Sequence, residues 1–175
     1  MPPLIWGNGT GDFNKASQQI PQLIRHAIKE RKLEYVAPGT SRIGHVHVQD
    51  LALLFETVVI RAIQDPTLES GRKGFFFANT GNHSWLEVSE KIARIGFQWG
   101  VLKSAEATPL NLTAAAEKFW EGDLLHTERV QASTSVTSAD RSFGIGWKPQ
   151  KSEEDWQESI PDAVKKVIDE NKHRV

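Results

Sequence analysis

No cysteine occurs in the 175 residues. Disulfides, thiolate zinc sites and a cysteine nucleophile are excluded, and a reducing cytoplasmic setting is the expectation. Tyrosine and methionine occur once each. No apolar run approaches the roughly 18 residues that span a bilayer, so no membrane role is expected. The opening Met1-Pro2-Pro3-Leu4-Ile5-Trp6-Gly7 lacks the basic-then-apolar layout of a signal peptide. Neither sign of charge dominates: 21 Lys and Arg stand against 22 Asp and Glu, a net charge of -1. With no long basic run either, a general nucleic-acid binder is not expected. There is no G-x-S-x-G elbow and no GxxxxGK[ST] loop.

What is present suits one packed region, 1–175. Apolar residues make up 39% and charged residues 25%, enough for a core and too ordered in pattern for a disordered chain. Residues 3–6 read as a short buried strand. Residues 17–33 read as a helix capped by Ser17, with Pro21 in its first turn and Ile20, Leu23, Ile24, Ala27 and Ile28 on one stripe. Strands follow at 34–37 and 43–48, joined by the turn residues Pro38-Gly39-Thr40-Ser41. Asp50 is expected to cap a helix from Leu51 to Gln64. That helix has apolar residues on more than one face, which predicts extensive burial.

Phe75-Phe76-Phe77-Ala78-Asn79 reads as a further buried strand. Ser84-Trp85-Leu86-Glu87 and Ser152-Glu153-Glu154-Asp155 are capping boxes, each opening a helix. Thr113 to Trp120 forms a shorter helix, residues 123–137 are ambiguous, and 138–143 make a helical turn. Pro161 is expected to interrupt the closing helix, whose stripe is Ala163, Val164, Val167 and Ile168. The order is mixed α/β, with too few strands for a complete doubly wound sheet.

Three constellations invite chemistry. His45 and His47 share a strand face, with Asp50 nearby, in reach of a common metal. The plainer reading, which we favour, has His47 hydrogen-bonded locally and Asp50 capping the next helix. Gly7-Asn8-Gly9-Thr10-Gly11 looks like a phosphate loop but fails the dinucleotide fingerprint, since Asp12 and Asn14 stand where glycine is needed. It reads as a loop after a strand, a common place for a site. Of six tryptophans, Trp6 stands out because it leads into that loop; the others read as core.

Taken together and in order, these segments resemble the C-terminal half of extended short-chain dehydrogenases/reductases, the NAD-dependent epimerase/dehydratase type. Pro2-Pro3-Leu4-Ile5-Trp6-Gly7-Asn8-Gly9 is similar to that family's P-P-x-I-Y-G-x-G. His47-Val48-Gln49-Asp50-Leu51-Ala52 resembles its H-V-x-D-L-A. Phe75 to Gly81, Ser84-Trp85-Leu86-Glu87-Val88 and Gly146-Trp147-Lys148-Pro149 resemble its F-N-x-G, S-W-x-E-V and G-W-x-P.

The resemblance implies an α/β chain: a partial Rossmann-type sheet plus the mixed α/β substrate-binding region. It implies that Pro2, Leu4 and Ile5 lie at the nicotinamide end. It places Trp6, Gly9, Phe13, Asn14 and Ser17 at the substrate loop, and makes Asp50 structural. It implies no metal.

The family's G-x-x-G-x-x-G unit and its catalytic Y-x-x-x-K are missing. The single Tyr35 is followed four residues later by Gly39. No catalytic residue is therefore assigned. NAD or NADP belongs to the full-length family, and this chain alone is expected to bind it weakly or not at all.

Where nucleotide-sugar members carry an arginine, this chain has Ile43, with Arg42 one step away. That leans toward a smaller alcohol, aldehyde or ketone substrate. The implied partners are a small-molecule substrate and either a second copy or a missing N-terminal half. The alternative is a non-catalytic binding or interaction module.

Overall fold

A computed structural model of the chain describes residues 1–13 and 15–172. It contains strands β1 (Leu4–Trp6), β2 (Glu34–Val36), β3 (Arg42–His47), β4 (Gly81–Ser84) and β5 (Thr108–Leu110). The helices are α1 (Gln19–Glu30), α2 (Val48–Gln64), α3 (Trp85–Gln98), α4 (Leu112–Phe119), α5 (Leu124–Gln131), α6 (Asp140–Gly144) and α7 (Glu153–Lys172). One sheet runs β1-β3-β4 and a second pairs β2 with β5. The fold is α/β. The chain divides into two compact units, each assembled from three separate stretches.

The first unit comprises Met1–Ser17, Gly44–Asn82 and Val136–Trp156. β1 and β3 are parallel, with Leu4 opposite His45, Ile5 opposite Val46 and Trp6 opposite His47. Alternation along each strand therefore sends Ile5 and Val46 to one face and Leu4, Trp6, His45 and His47 to the other. The Ile5 face meets a core of Val46, Leu51, Leu54, Ala78, Ala139 and Trp147.

Phe75 to Asn79 is not a strand. Its backbone finds other partners: the Phe77 carbonyl accepts the Ser142 hydroxyl. Asn79 supplies with its side chain what a strand supplies with its main chain. Its Oδ1 accepts the His45 N–H at 3.1 Å and its Nδ2 donates to the Thr137 carbonyl at 2.8 Å. The strand is displaced to Gly81–Ser84.

α2 also departs from expectation. Only Asp50, Leu51 and Leu54 are buried on it. Phe55, Val59 and Ile63, spaced four apart, form an outward stripe, with Ile63 79% exposed.

The second unit comprises Gln18–Ile43, His83–Ser135 and the chain from Gln157 onward. Ile20, Leu23, Ile24 and Ala27 are buried on α1, as the periodicity predicts. The helix starts at Gln19, and neither Ser17 nor Gln18 caps it through a side chain. Its C-terminus is closed by Arg31 in the left-handed region, φ 56°. Ser84 and Glu87 form both arms of the expected capping box.

The helix expected at Thr113 to Trp120 forms as α4, and part of the ambiguous stretch 123–137 resolves as α5; side chains hold their first turns, Asn111 in α4 and Asp123 in α5. β5, which carries Pro109, pairs in parallel with β2. Proline has no N–H for a ladder, which hides such a strand from a sequence reading.

Pro161 does not interrupt α7, which is continuous over 20 residues. A proline at this position leaves the carbonyl four residues earlier, that of Gln157, without its helical donor. The Lys91 ammonium fills the gap, donating to the Gln157 carbonyl at 2.6 Å and to its Oε1 at 2.8 Å.

Candidate functional site

The carboxyl ends of β1 and β3 lie side by side, and the glycine loop leaves β1 there. This is the end at which open α/β sheets take ligands. Gly7 makes the exit turn with φ +87°. A Cβ on it would stand 2.1 Å from His47 Nε2, so the imidazole lies directly against the glycine backbone. The Gly9 N–H donates to the Lys15 carbonyl at 2.8 Å and closes the loop on itself.

His47 is the N-cap of α2. Its Nδ1 accepts the Gln49 backbone N–H at 3.2 Å, which leaves Nε2 to carry the ring proton. Asp50, expected in the capping role, does something else. One carboxylate oxygen accepts the Gln150 N–H at 2.7 Å and the other the Lys151 N–H at 3.0 Å. The Trp147 indole donates to the Asp50 carbonyl at 2.8 Å. The H-V-x-D and G-W-x-P segments are thus tied together through one buried aspartate. The structure gives Asp50 a structural task.

The shared face of β1 and β3 is an aromatic cluster. Trp6 meets His47 edge-on at 4.5 Å between ring centroids and Trp156 at 5.5 Å. His45 meets Trp156 edge-on at 4.3 Å. His45 is 2% exposed, with Nε2 at 3.6 Å from Glu153 Oε2. Burial pushes the His45 imidazole down to about 4, against the opposing pull of Glu153. His47 is also pushed down, by burial and then by Lys151, with Asp50 and Asp155 opposing. Both rings are therefore neutral near pH 7.

The shared-metal arrangement does not form. His47 Nδ1 and both Asp50 oxygens are occupied by backbone N–H groups, and no cluster of three or more ligand side chains exists among the described residues.

The residues assigned to the nicotinamide end separate. Pro2 is exposed, Leu4 is buried, and Ile5 faces the core on the opposite side of the strand. Of the substrate-loop residues, Trp6 is buried in the aromatic cluster, Gly9 sits in the closed loop, and Ser17 is half-buried. Phe13 is 87% exposed. Asn14 lies outside the described residues. In the second unit, Arg42 forms an ion pair with Glu87 at 3.3 Å.

Trp156 and Asn79 were not singled out as site residues in the sequence. Trp156 reads as one more helical core aromatic. Asn79 sits in an apolar run, and a polar residue closing such a run was the available signal.

No family model matches the chain. A curated relative, the oxidase ucsJ of Acremonium sp, is 24% identical over a 158-residue alignment that covers 82% of this chain and 42% of that protein. Among solved structures, UDP-glucuronic acid 4-epimerase from Bacillus cereus, in complex with UDP-glucuronic acid and NAD, matches with a TM-score of 0.55 and 13% identity. The match covers 94% of this chain and 44% of the enzyme. dTDP-glucose 4,6-dehydratase from Bacillus anthracis, in complex with NAD, matches with a TM-score of 0.52 and 16% identity, over 97% and 44%.

The fold is therefore the α/β fold of NAD-dependent epimerase/dehydratase enzymes, over less than half their length. At these identities the likeness is one of fold. No helix among the described residues is long and apolar enough to cross a membrane.

Proposed function

We propose that this chain is the substrate-side half of an NAD(P)-dependent, cytoplasmic oxidoreductase acting on an alcohol, aldehyde or ketone. The observation that carries the reading is the parallel β1–β3 pair, with the Gly7 turn leaving its carboxyl end beside His47. That is where an α/β sheet of this kind takes its ligand. The loop holding Gly9, Phe13 and Ser17 starts from this point, after Trp6. Ile43, at the position where nucleotide-sugar members carry an arginine, supports a substrate less anionic than a nucleotide sugar.

The described residues make a poor cradle for the whole cofactor. Of Pro2, Leu4 and Ile5, only Pro2 presents an exposed surface, and no glycine-rich phosphate turn accompanies it. No chemical step is assigned to the cofactor here, and none to Tyr35, which lacks its lysine.

The test has two arms. The purified 175-residue chain is titrated with NADH and NADPH by fluorescence and assayed against a panel of alcohols, aldehydes and ketones. Weak or absent binding and no turnover are expected. In parallel, an antibody against this segment sizes the native protein in its source. A band about twice 19.6 kDa is expected, within the range of a two-part α/β enzyme. Steady turnover by this chain alone would overturn the reading.

A second reading, a non-catalytic module that associates with itself or with a partner chain, is favoured by the Phe55, Val59 and Ile63 stripe on α2. Apolar stripes of this kind usually face another surface. Under it, sedimentation velocity shows association that Phe55→Lys with Val59→Lys abolishes. A monomer at all concentrations counts against it.

A further inference from the structure

We propose that Asn8, in the loop that leaves β1, is a site of spontaneous covalent modification. Its side-chain amide is displaced by the backbone nitrogen of Gly9, and the hydrogen bond from Gly9 to Lys15 sets the rate. The modification is independent of the function proposed for the neighbouring strand ends.

The sequence supplies the chemistry. Asn8 is followed by Gly9, while the other asparagines precede Lys15, Thr80, His83, Leu112 and Lys172. Asparagine is a chemically labile residue. It closes a succinimide ring when the next backbone nitrogen attacks its Cγ. A side chain on the next residue crowds that nitrogen, and glycine has none. Asn8 is exposed, so water reaches the ring once it has formed.

The step balances without a cofactor. The Gly9 nitrogen gives up its proton and bonds to Asn8 Cγ. The bond from Cγ to the side-chain nitrogen breaks, and ammonia leaves. Water then opens the succinimide at either carbonyl. One opening gives aspartate, and the other gives isoaspartate, with an extra carbon in the main chain. Nothing is oxidised or reduced, and either product carries one more negative charge than Asn8.

The structure supplies the control. The nucleophile is the same nitrogen whose N–H donates to the Lys15 carbonyl at 2.8 Å. That bond retains the proton that must leave and fixes the nitrogen in the closed loop. Ring closure therefore waits for a local opening. In the succinimide the nitrogen has no hydrogen, so the bond that closes the loop is lost for the lifetime of the ring. The loop beside His47 is thereby unlatched by its own chemistry.

The experiment incubates the 175-residue chain at mildly alkaline pH, folded and in unfolding guanidinium chloride. After desalting, conversion is read as an acidic band in isoelectric focusing and located by peptide mass spectrometry. Conversion at Asn8 is expected in both samples. It is expected to be slower in the folded chain by at least about fivefold, the factor that corresponds to one backbone hydrogen bond. Gly9→Ala fits the loop, since its Cβ would meet nothing nearer than Lys15 Cα at 3.5 Å. In this variant the acidic band is expected to be lost. Equal rates in the folded and unfolded chain overturn the control by Lys15. A folded chain that stays unmodified at Asn8 over many half-lives of the unfolded one, or that converts at another asparagine instead, overturns the site.

Discussion

The imidazole of His47 occupies the space into which a side chain on Gly7 would grow. Gly7 follows β1 and His47 ends β3, and their approach sets the exit of the glycine loop from β1. Gly7→Ala is doubly penalised: its Cβ meets the ring at 2.1 Å, and φ is +87°. A loss of about 2 kcal/mol or more is expected in urea unfolding. Gly11→Ala is the control. Nothing lies within 4 Å of its added Cβ and its φ needs no glycine, so a change within about 0.5 kcal/mol is expected. Equal losses in the two variants would show that the Gly7–His47 approach is not constraining.

The buried histidines predict an acid-sensitive fold. Burial pushes His45 down to about 4. The unfolded chain takes up that proton near pH 6.5, while the folded chain resists until about pH 4. Unfolded protein thus binds more protons in this window, and stability rises with pH. The contribution is fully present above about pH 6.5 and is lost as pH falls toward 4. For a residue this buried it amounts to roughly 3 kcal/mol. Urea midpoints measured across the window should fall more steeply in the wild type than in His45→Phe. Parallel profiles would contradict the assignment.

Lys91 and Pro161 should be energetically coupled through the Gln157 carbonyl. Lys91→Met removes the donor that serves this carbonyl and is expected to cost about 1 kcal/mol. In a Pro161→Ala background the helix regains its own N–H for the same carbonyl. The Lys91→Met cost should then shrink toward zero. A double-mutant cycle measures the difference, and strict additivity would refute the coupling.

Asp50 accepts two backbone N–H groups from the segment after Trp147. Asp50→Asn keeps one acceptor oxygen and replaces the other with a donor facing a donor. A loss of about 2–4 kcal/mol is expected by thermal or urea unfolding. A loss within the range of a surface substitution would mean that this anchor contributes little.

Much of this was legible in the sequence, where short-range chemistry decides. Both capping boxes, the α1 stripe and the buried β1 pattern follow from neighbours within four residues. What escaped depends on distant partners. Asp50 has good capping chemistry, and only the Gln150 and Lys151 amides, 100 residues away, claim it instead. Pro161 breaks a helix locally unless something else satisfies Gln157, and Lys91 cannot be paired with it by spacing. Phe75 to Asn79 has strand composition, but the Asn79 amide and Ser142 take over the bonding that would define a strand. The sequence reading ended the first strand at Trp6 and put the glycine loop after it, and β1 ends there. It could not show that Leu4 and Ile5 part to opposite faces with Ile5 in the core.

The division of the chain into Met1–Ser17, Gly44–Asn82 and Val136–Trp156 on one side, and the intervening stretches on the other, has a consequence for synthesis. The polypeptide passes between the units five times, so no contiguous fragment contains one unit without long stretches of the other. A single cut at any point between Gln18 and Trp156 splits both. During translation the Trp147 segment that completes the unit of β1 follows that strand more than a hundred residues later. Neither unit can finish folding before its own last stretch, from Val136 in the first and from Gln157 in the second, has been made. Maturation is therefore expected to be late and all-or-none, not vectorial.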